Sequence, residues 1–349
     1  MRYRKLGNSD LECSVVGIGT WGLSGQGWES SRISDDDQSI AAIRAAVDAG
    51  INFIDTALTY GSGHAEELVG EAIDGIRDKV IVATKCASDR IAPNPDVVRD
   101  WRPAALRRQL EKSMRRLKVD TIDLYQVHWP DPDPTHPIED AFRELNKMRE
   151  EGLVRYVGVS NFTVEQIRIA MEYCPIASLQ PGFSLLNRAA EKELLPFCAD
   201  NGIGVLSYGS LGGGVLTGKY TERPHFETKA GMVDPRNRFY PYYSEEAWPH
   251  TSRLLEAMRD VAARNNCRVV DVAVGWVLAQ RGVTLALVGA RTEEQARMNA
   301  MAGDFVMPEE DEKMLAEVSA EVLAALNFEK DHPSALFAAN EKEPFSDGI

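Results

Sequence analysis

Apolar residues fall along the chain in short runs, separated by longer stretches with helical spacing. Val15–Ile18, Phe53–Asp55, Val80–Thr84, Ile122–Val127, Tyr156–Val159, Ala177–Gln180, Gly204–Ser207 and Leu285–Val288 are brief and apolar, as strands buried on both faces are. Between them apolar positions recur every three or four residues. This predicts helices over Asp36–Ala49, His64–Gly75, Pro103–Leu117, Ile138–Glu151, Val164–Cys174, Arg188–Asn201 and a long region from Ser252 to Gln280. Strand and helix in alternation predict a parallel sheet covered on both faces, and eight such units favour a closed (β/α)8 TIM barrel over an open sheet.

Other segments stand outside this rhythm. Tyr3–Leu6 and Leu11–Val15 flank a turn cluster at Gly7-Asn8-Ser9-Asp10 and predict an N-terminal β-hairpin. Ser34 with Asp37 three residues on marks a helix start. Gly218–Pro249 is polar and aromatic, with Tyr240, Tyr242, Tyr243 and Trp248, and has the length of a lid or binding loop. Asn327–Ile349 mixes charge with Pro333 and Pro344, and is expected either to be disordered or to cover the barrel mouth. The expected organisation is one barrel domain over residues 1–323 and a C-terminal tail over 324–349. A length of 349 residues suits one barrel with insertions, although it also suits two average domains.

Composition narrows the function classes. Apolar content of 44% and charged content of 26% are ordinary for a globular chain. A net charge of −14 argues against a nucleic-acid surface and against an anionic membrane. There is no transmembrane run, and the start MRYRKLGNSDLE is too polar for a signal peptide. Cys13, Cys86, Cys174, Cys198 and Cys267 are odd in number, widely spaced and without Cys-x-x-Cys. They read as reduced thiols of a cytoplasmic protein with no metal site.

The candidate chemistry lies at the strand ends. In order, the expected strands end in Asp55 (with Tyr60 in the loop beyond), Thr84-Lys85, His128-Trp129, Ser160-Asn161, Gln180 and Ser207-Tyr208. A barrel would bring all of these to one face. A phenol with a pKa of about 10 is a poor acid at neutral pH, and a buried ammonium beside it lowers that pKa. Lys85 is placed to supply the charge, Asp55 to hold it, and His128 to orient a carbonyl oxygen. Each residue alone has an ordinary structural explanation; together on consecutive strands they point to proton donation.

These stretches resemble the aldo-keto reductase family over roughly Tyr3–Glu321, including its bacterial general-stress and inositol-associated branch. The resemblance rests on Asp55-Thr56-Ala57 with Tyr60-Gly61 and Glu66-Glu67, on Thr84-Lys85, and on Leu124-Tyr125-Gln126-Val127-His128-Trp129. It continues through Gly158-Val159-Ser160-Asn161-Phe162, Ser184-Leu185-Leu186-Asn187-Arg188, Leu216-Thr217-Gly218-Lys219-Tyr220 and Gly289-Ala290-Arg291 with Gln295 and Asn299. It implies a (β/α)8 barrel and NAD(P)H-dependent carbonyl reduction, with Tyr60 as general acid, Lys85 and Asp55 tuning it and His128 orienting the substrate. It further implies that Ser160, Asn161 and Gln180 hold the nicotinamide carboxamide and that Tyr208 stacks on the ring. Leu211, Gly213, Lys219 and the segment Gly289–Asn299, with Arg291, Gln295 and Asn299, would line the pyrophosphate and adenosine end. Thr292-Glu293-Glu294-Gln295 has capping-box spacing, so a helix should begin there, and Arg291 just before it is placed to pair with a 2′-phosphate. NADP(H) is therefore expected over NAD(H).

Phe183 and the Pro181-Gly182 before it depart from the family pattern, as does Gly289 after Val288, where a proline is frequent. Gly17-Ile18-Gly19-Thr20-Trp21-Gly22 fits G-x-G-x-x-G, but a dinucleotide fingerprint needs a helix to open there, and the small residues instead continue as a loop. Trp21, Trp28, Trp129 and Phe162 are the expected substrate-pocket walls, suited to aromatic or apolar aldehydes and equally to a sugar or cyclitol. A slow-turnover, cofactor-sensing subunit is the alternative of a different class, and a non-redox acid–base pair of Asp55 with Glu66 a more distant one. Oligomeric state is open.

Overall fold

The computed structural model describes residues 1–23, 35–90, 97–131, 136–226 and 240–326. A hairpin of β1 (Tyr3–Lys5) and β2 (Glu12–Ser14) opens the chain, with Arg4 opposite Cys13. The alternation then begins: β3 (Val16–Gly19), α1 (Asp36–Asp48), β4 (Phe53–Asp55), α2 (His64–Ala72) and β5 (Ile81–Cys86). After an antiparallel pair, β6 (Ser88–Arg90) and β7 (Val97–Arg99), come α3 (Pro103–Leu117), β8 (Ile122–Val127), α4 (Ile138–Glu150), β9 (Val154–Ser160), α5 (Val164–Met171) and β10 (Ile176–Gln180). The chain continues with α6 (Leu194–Asn201), β11 (Gly204–Ser207), α7 (Trp248–Arg264), α8 (Val269–Ala279), β12 (Val283–Gly289), α9 (Glu293–Met301) and α10 (Glu309–Leu326). β3, β4, β5, β8, β9, β10, β11 and β12 pair in parallel in that order, and β12 returns to β3 through Ala286–Val16 and Val288–Ile18 to close a (β/α)8 barrel.

Most elements lie where the apolar pattern puts them, and the departures have local causes. β5 runs on to Cys86, so Lys85 belongs to the strand rather than following it. The helical region after Ser252 is two helices, parted where Asn266 takes a left-handed φ of 49°. Asp35 caps α1, its side chain accepting from the Gln38 N–H at 3.2 Å; Ser34 lies outside the described residues. Polar β6 and the acidic start of α10 carry no apolar signal, and the Val-Val-Arg of β7 is too short to show a period. α10 crosses the expected 323/324 boundary, so the tail starts no earlier than residue 327, outside the described residues.

The period of two along each strand sorts the barrel interior from its outer face. Phe53, Ile81, Ala83, Leu124, Leu206, Leu285 and Leu287 form an apolar interior, separate from the larger core between the strands and the helices. Leu6, Leu11 and Cys13 of the hairpin belong to that interior and plug its N-terminal end. The same register carried toward the C-terminal end reaches Asp55 after Phe53, Lys85 after Ala83, Gln126 after Leu124 and Tyr208 after Leu206. Apolar filling thus gives way to polar side chains at one end only. Among the described residues no helix is long and apolar enough to cross a membrane.

Candidate active site

Lys85 stands at the centre of that polar end, its side chain wholly inaccessible to solvent. An ammonium has three hydrogens to donate, and all three have partners. Nζ donates to Asp55 Oδ2 at 2.7 Å, to the Thr56 carbonyl at 2.8 Å and to the Tyr60 hydroxyl at 3.3 Å. Burial alone would discharge the lysine, but Asp55 and Tyr60 outweigh it and hold its pKa above the ordinary value. Burial is also the largest influence on Tyr60 and pushes its phenol up; Lys85 pulls it down only in part, and Asp55 pushes it up. The net rise corrects the expectation of a lowered phenol: the Tyr60 proton is held more firmly than in water.

His128 lies across from the phenol, the two rings edge to face with centroids 5.8 Å apart. Burial, then Lys85 and Arg99, carry its imidazole well below the usual range, so it is neutral near pH 7 and keeps one N–H to donate. Trp129 stacks beside it at 6.4 Å, and the Arg99 guanidinium lies 5.9 Å from the Trp129 ring. Glu66 is not part of this group. It is buried behind β5, accepting from Thr84 Oγ1 at 2.7 Å and from Arg116 at 3.1 Å.

A continuous set of hydrogen bonds joins this cluster to the residues expected at the nicotinamide. Asp55 Oδ1 accepts from Gln180 Nε2 at 2.9 Å and from Gln126 Nε2 at 3.3 Å. Ser160 Oγ donates to the Gln180 carbonyl at 2.8 Å, and Asn161 Nδ2 donates to Ser160 Oγ at 3.0 Å and to the His128 carbonyl at 3.1 Å. Tyr208 Oη donates to Asn161 Oδ1 at 2.9 Å. Asn161 takes a left-handed φ of 63°, which turns the chain off the end of β9 and brings its amide back over the mouth.

Farther round the rim, Gly213 and Gly214 have φ of 65° and 96°, so this turn presents backbone without a side chain. A Cβ on Gly213 would stand 2.6 Å from the Tyr240 ring. Leu211 precedes this turn, and exposed Lys219 follows it with its ammonium 4.7 Å from the Tyr220 ring. Tyr220, Phe226 and Tyr243 pack edge to face, so the described part of Gly218–Pro249 carries an ordered aromatic cluster; residues 227–239 lie outside the described residues. At α9, Thr292 Oγ1 accepts from the Gln295 N–H at 3.2 Å. Gln295 Oε1 reaches one residue beyond the expected capping box, to the Arg291 N–H at 2.9 Å. Asn299 Nδ2 donates to the Gly289 carbonyl at 3.1 Å, tying α9 to the end of β12.

The expected pocket walls divide. Trp21 is 37% exposed and Trp129 half-buried, both at the C-terminal end of the barrel. Trp28 lies outside the described residues. Phe162 is not a wall: it is 2% exposed, stacked on Trp101 at 5.9 Å and edge-on to Phe142 at 6.0 Å. The turn at Asn161 sends the next side chain back between the barrel and its helices. Gln126 is the residue that the strand-end reading passed over, and its signal was available: it lies two residues before His128, on the same face of β8.

Comparisons with known proteins agree with the barrel fold. The model of the Aldo/keto reductase family matches residues 15–320. The chain is 38% identical over 315 residues to the aldo-keto reductase YhdN of Bacillus subtilis (strain 168), covering 90% of this chain and 92% of that protein. It is 31% identical to an NADH-specific methylglyoxal reductase of Escherichia coli (strain K12), covering 91% and 98%. The structure of a glycerol dehydrogenase, AKR11B4 of Gluconobacter oxydans, superimposes with a TM-score of 0.83 at 35% identity, covering 92% and 96%. Aldo-keto reductases holding NADP or NADPH are among the other matching structures. The chain belongs to the aldo/keto reductase family and is an NAD(P)H-dependent oxidoreductase of carbonyl compounds and alcohols.

Proposed function

We propose that Tyr60 is the proton donor of a carbonyl reductase that works best with NADPH. The observation that carries this reading is the single buried ammonium that donates both to Asp55 and to the Tyr60 hydroxyl. When bound, the nicotinamide supplies the hydride. Tyr60 holds its proton at the hydroxyl and releases it as negative charge builds on the substrate oxygen. Lys85 stabilises the phenolate left behind, and Asp55 keeps Lys85 charged. Neutral His128 donates its N–H to the same oxygen and fixes the carbonyl's orientation. In oxidation of an alcohol the same groups act in reverse.

The rim suits the cofactor in its amide cluster of Ser160, Asn161 and Gln180, its side-chain-free turn at Gly213-Gly214, and the helix start at Thr292. Tyr208, Leu211, Lys219, Gly289, Gln295 and Asn299 complete the lining. Arg291, immediately before α9, is the proposed partner of the 2′-phosphate. With Phe162 withdrawn into the core and Arg99 beside Trp129, the mouth between Trp21 and Trp129 favours a small oxygenated substrate over a bulky aromatic aldehyde. The methylglyoxal and glycerol in the names of its relatives belong to that class.

The test is loss of reduced-cofactor absorbance with methylglyoxal, DL-glyceraldehyde and a reactive aromatic aldehyde. Turnover faster with NADPH than with NADH is expected. Tyr60→Phe should bind cofactor as the parent does but lose about 10²–10⁴ in turnover. Because the phenol's pKa is raised, its proton is present through neutrality and is lost only as the pH rises beyond the ordinary range near 10. The parent's reductive rate should therefore fall only in strong alkali. Parental turnover in Tyr60→Phe would remove Tyr60 from the reaction.

A further inference from the structure

Gln126 has no part in the proposed proton transfer, yet it is wholly buried between the proposed catalytic and cofactor groups. A carboxylate can only accept hydrogen bonds, so both amides facing Asp55 Oδ1 must turn their nitrogens to it. Gln180 Nε2 has two hydrogens. One goes to Asp55 Oδ1 at 2.9 Å and the other to Gln126 Oε1 at 3.3 Å. Gln126 Nε2 in turn donates to the same Asp55 oxygen at 3.3 Å. The three side chains thus form a closed triangle in which the Gln180 amide cannot reverse without placing oxygen against carboxylate. Both its donors are engaged. What remains is Oε1, an acceptor to which no described residue donates.

The barrel wall makes room for this triangle. A Cβ on Gly158 of β9 would stand 3.2 Å from Gln126 Cγ and 2.2 Å from Ser178 Oγ. A side chain on β9 at this level would collide with Ser178 and crowd Gln126 from the other side. Glycine at this point of the barrel leaves room for Ser178 on one neighbouring strand and for the Gln126 amide on the other.

We infer that Gln126 is a positioning residue that fixes Gln180 as a pure acceptor, so that the site recognises the nicotinamide by the N–H donors of its carboxamide. The inference rests on the proposed cofactor site and names how that site reads the ring. It ties cofactor recognition to the Asp55–Lys85 pair, since the amide that meets the ring also bears on Asp55. Without Gln126, one Gln180 N–H is released to turn toward a carbonyl oxygen, and the preference for a donor is lost.

The experiment measures binding and needs no turnover. Tryptophan quenching gives the affinity of the full chain for NADP⁺, for its 3-acetylpyridine analogue, which lacks the N–H donors, and for its thionicotinamide analogue, which keeps them. The parent should bind NADP⁺ and the thionicotinamide form alike, and the acetyl form about tenfold more weakly, the loss of one hydrogen bond. Gln126→Met, similar in length and with only a weak sulfur acceptor to offer Gln180, should reduce that preference to about twofold or less. Damage of a merely structural kind would weaken all three dinucleotides together and leave the preference in place, which would overturn the inference. A parent that binds all three equally, or rejects the thionicotinamide form instead, would overturn it without any variant. A parent that binds none of them would overturn the proposed cofactor site as well.

Discussion

Two buried carboxylates serve the two ends of the barrel, each paired with a cation, and only one belongs to a proposed reaction. Asp123, near the N-terminal end of β8, accepts from the Val82 N–H at 2.9 Å and from Arg155 at 2.9 Å, and forms an ion pair with Arg77 at 2.7 Å. Its partners are guanidiniums whose side chains are 35% and 42% exposed, permanently charged and open to water. Asp55, at the C-terminal end of β4, pairs instead with an ammonium that water does not reach. The two acids are equally buried, so burial is not what distinguishes a structural pair from a reactive one. The distinction lies in the third group on the cation. Lys85 faces a phenol, whereas Arg155 reaches across to Asp10 on the surface.

Three substitutions test that contrast. Lys85→Met should have the largest effect, cutting turnover about 100-fold or more, because it removes the charge that receives the phenolate. It also leaves Asp55 buried without its cation, so the unfolding midpoint should fall as well. Rates referred to folded protein separate the two effects, and near-parental turnover would show that Lys85 is structural, like the arginines. Arg291→Ala comes next: affinity for NADPH should fall about tenfold while that for NADH hardly changes, as titration by fluorescence would show. An equal loss for both would take Arg291 away from the 2′-phosphate. The smallest effect on chemistry belongs to Asp123→Asn. It should lower the melting temperature by a few degrees, corresponding to about 1–3 kcal/mol, with turnover per folded molecule unchanged. A rate loss like that of Lys85→Met would erase the difference between the two ends.

Much of the barrel was legible in the sequence because its strands are buried on both faces. Phe53–Asp55, Ile122–Val127 and Gly204–Ser207 begin and end where their apolar runs do. The polar strand ends were legible for the same reason: a charge or amide that stops an apolar run marks the layer where filling ends. The antiparallel pair of Ser88–Arg90 and Val97–Arg99 was not legible, since each strand is only three residues long and the first is wholly polar. Phe162 was misread as a wall because its place next to Asn161 suggests the mouth, while its direction is set by one left-handed residue. Gln126 was passed over because it sits inside the strand. Only counting back by two from His128 turns it inward. Partners such as Gln180 on Asp55 depend on which strands become neighbours, which one strand's sequence does not carry.

The plugged end of the barrel bears on how the chain must be made. Leu6, Leu11 and Cys13 share their apolar surroundings with Leu206, Leu285 and Leu287, and Arg4 donates to the Val283 carbonyl at 2.7 Å. The hairpin precedes all eight barrel strands in the chain, yet its surroundings are complete only after the last of them has been made. Contacts of such long sequence separation are slow to form. Until then part of the hairpin's apolar face stays open to solvent, so an element made before the barrel is among the last to be fully protected, and a chaperone has long to act on it.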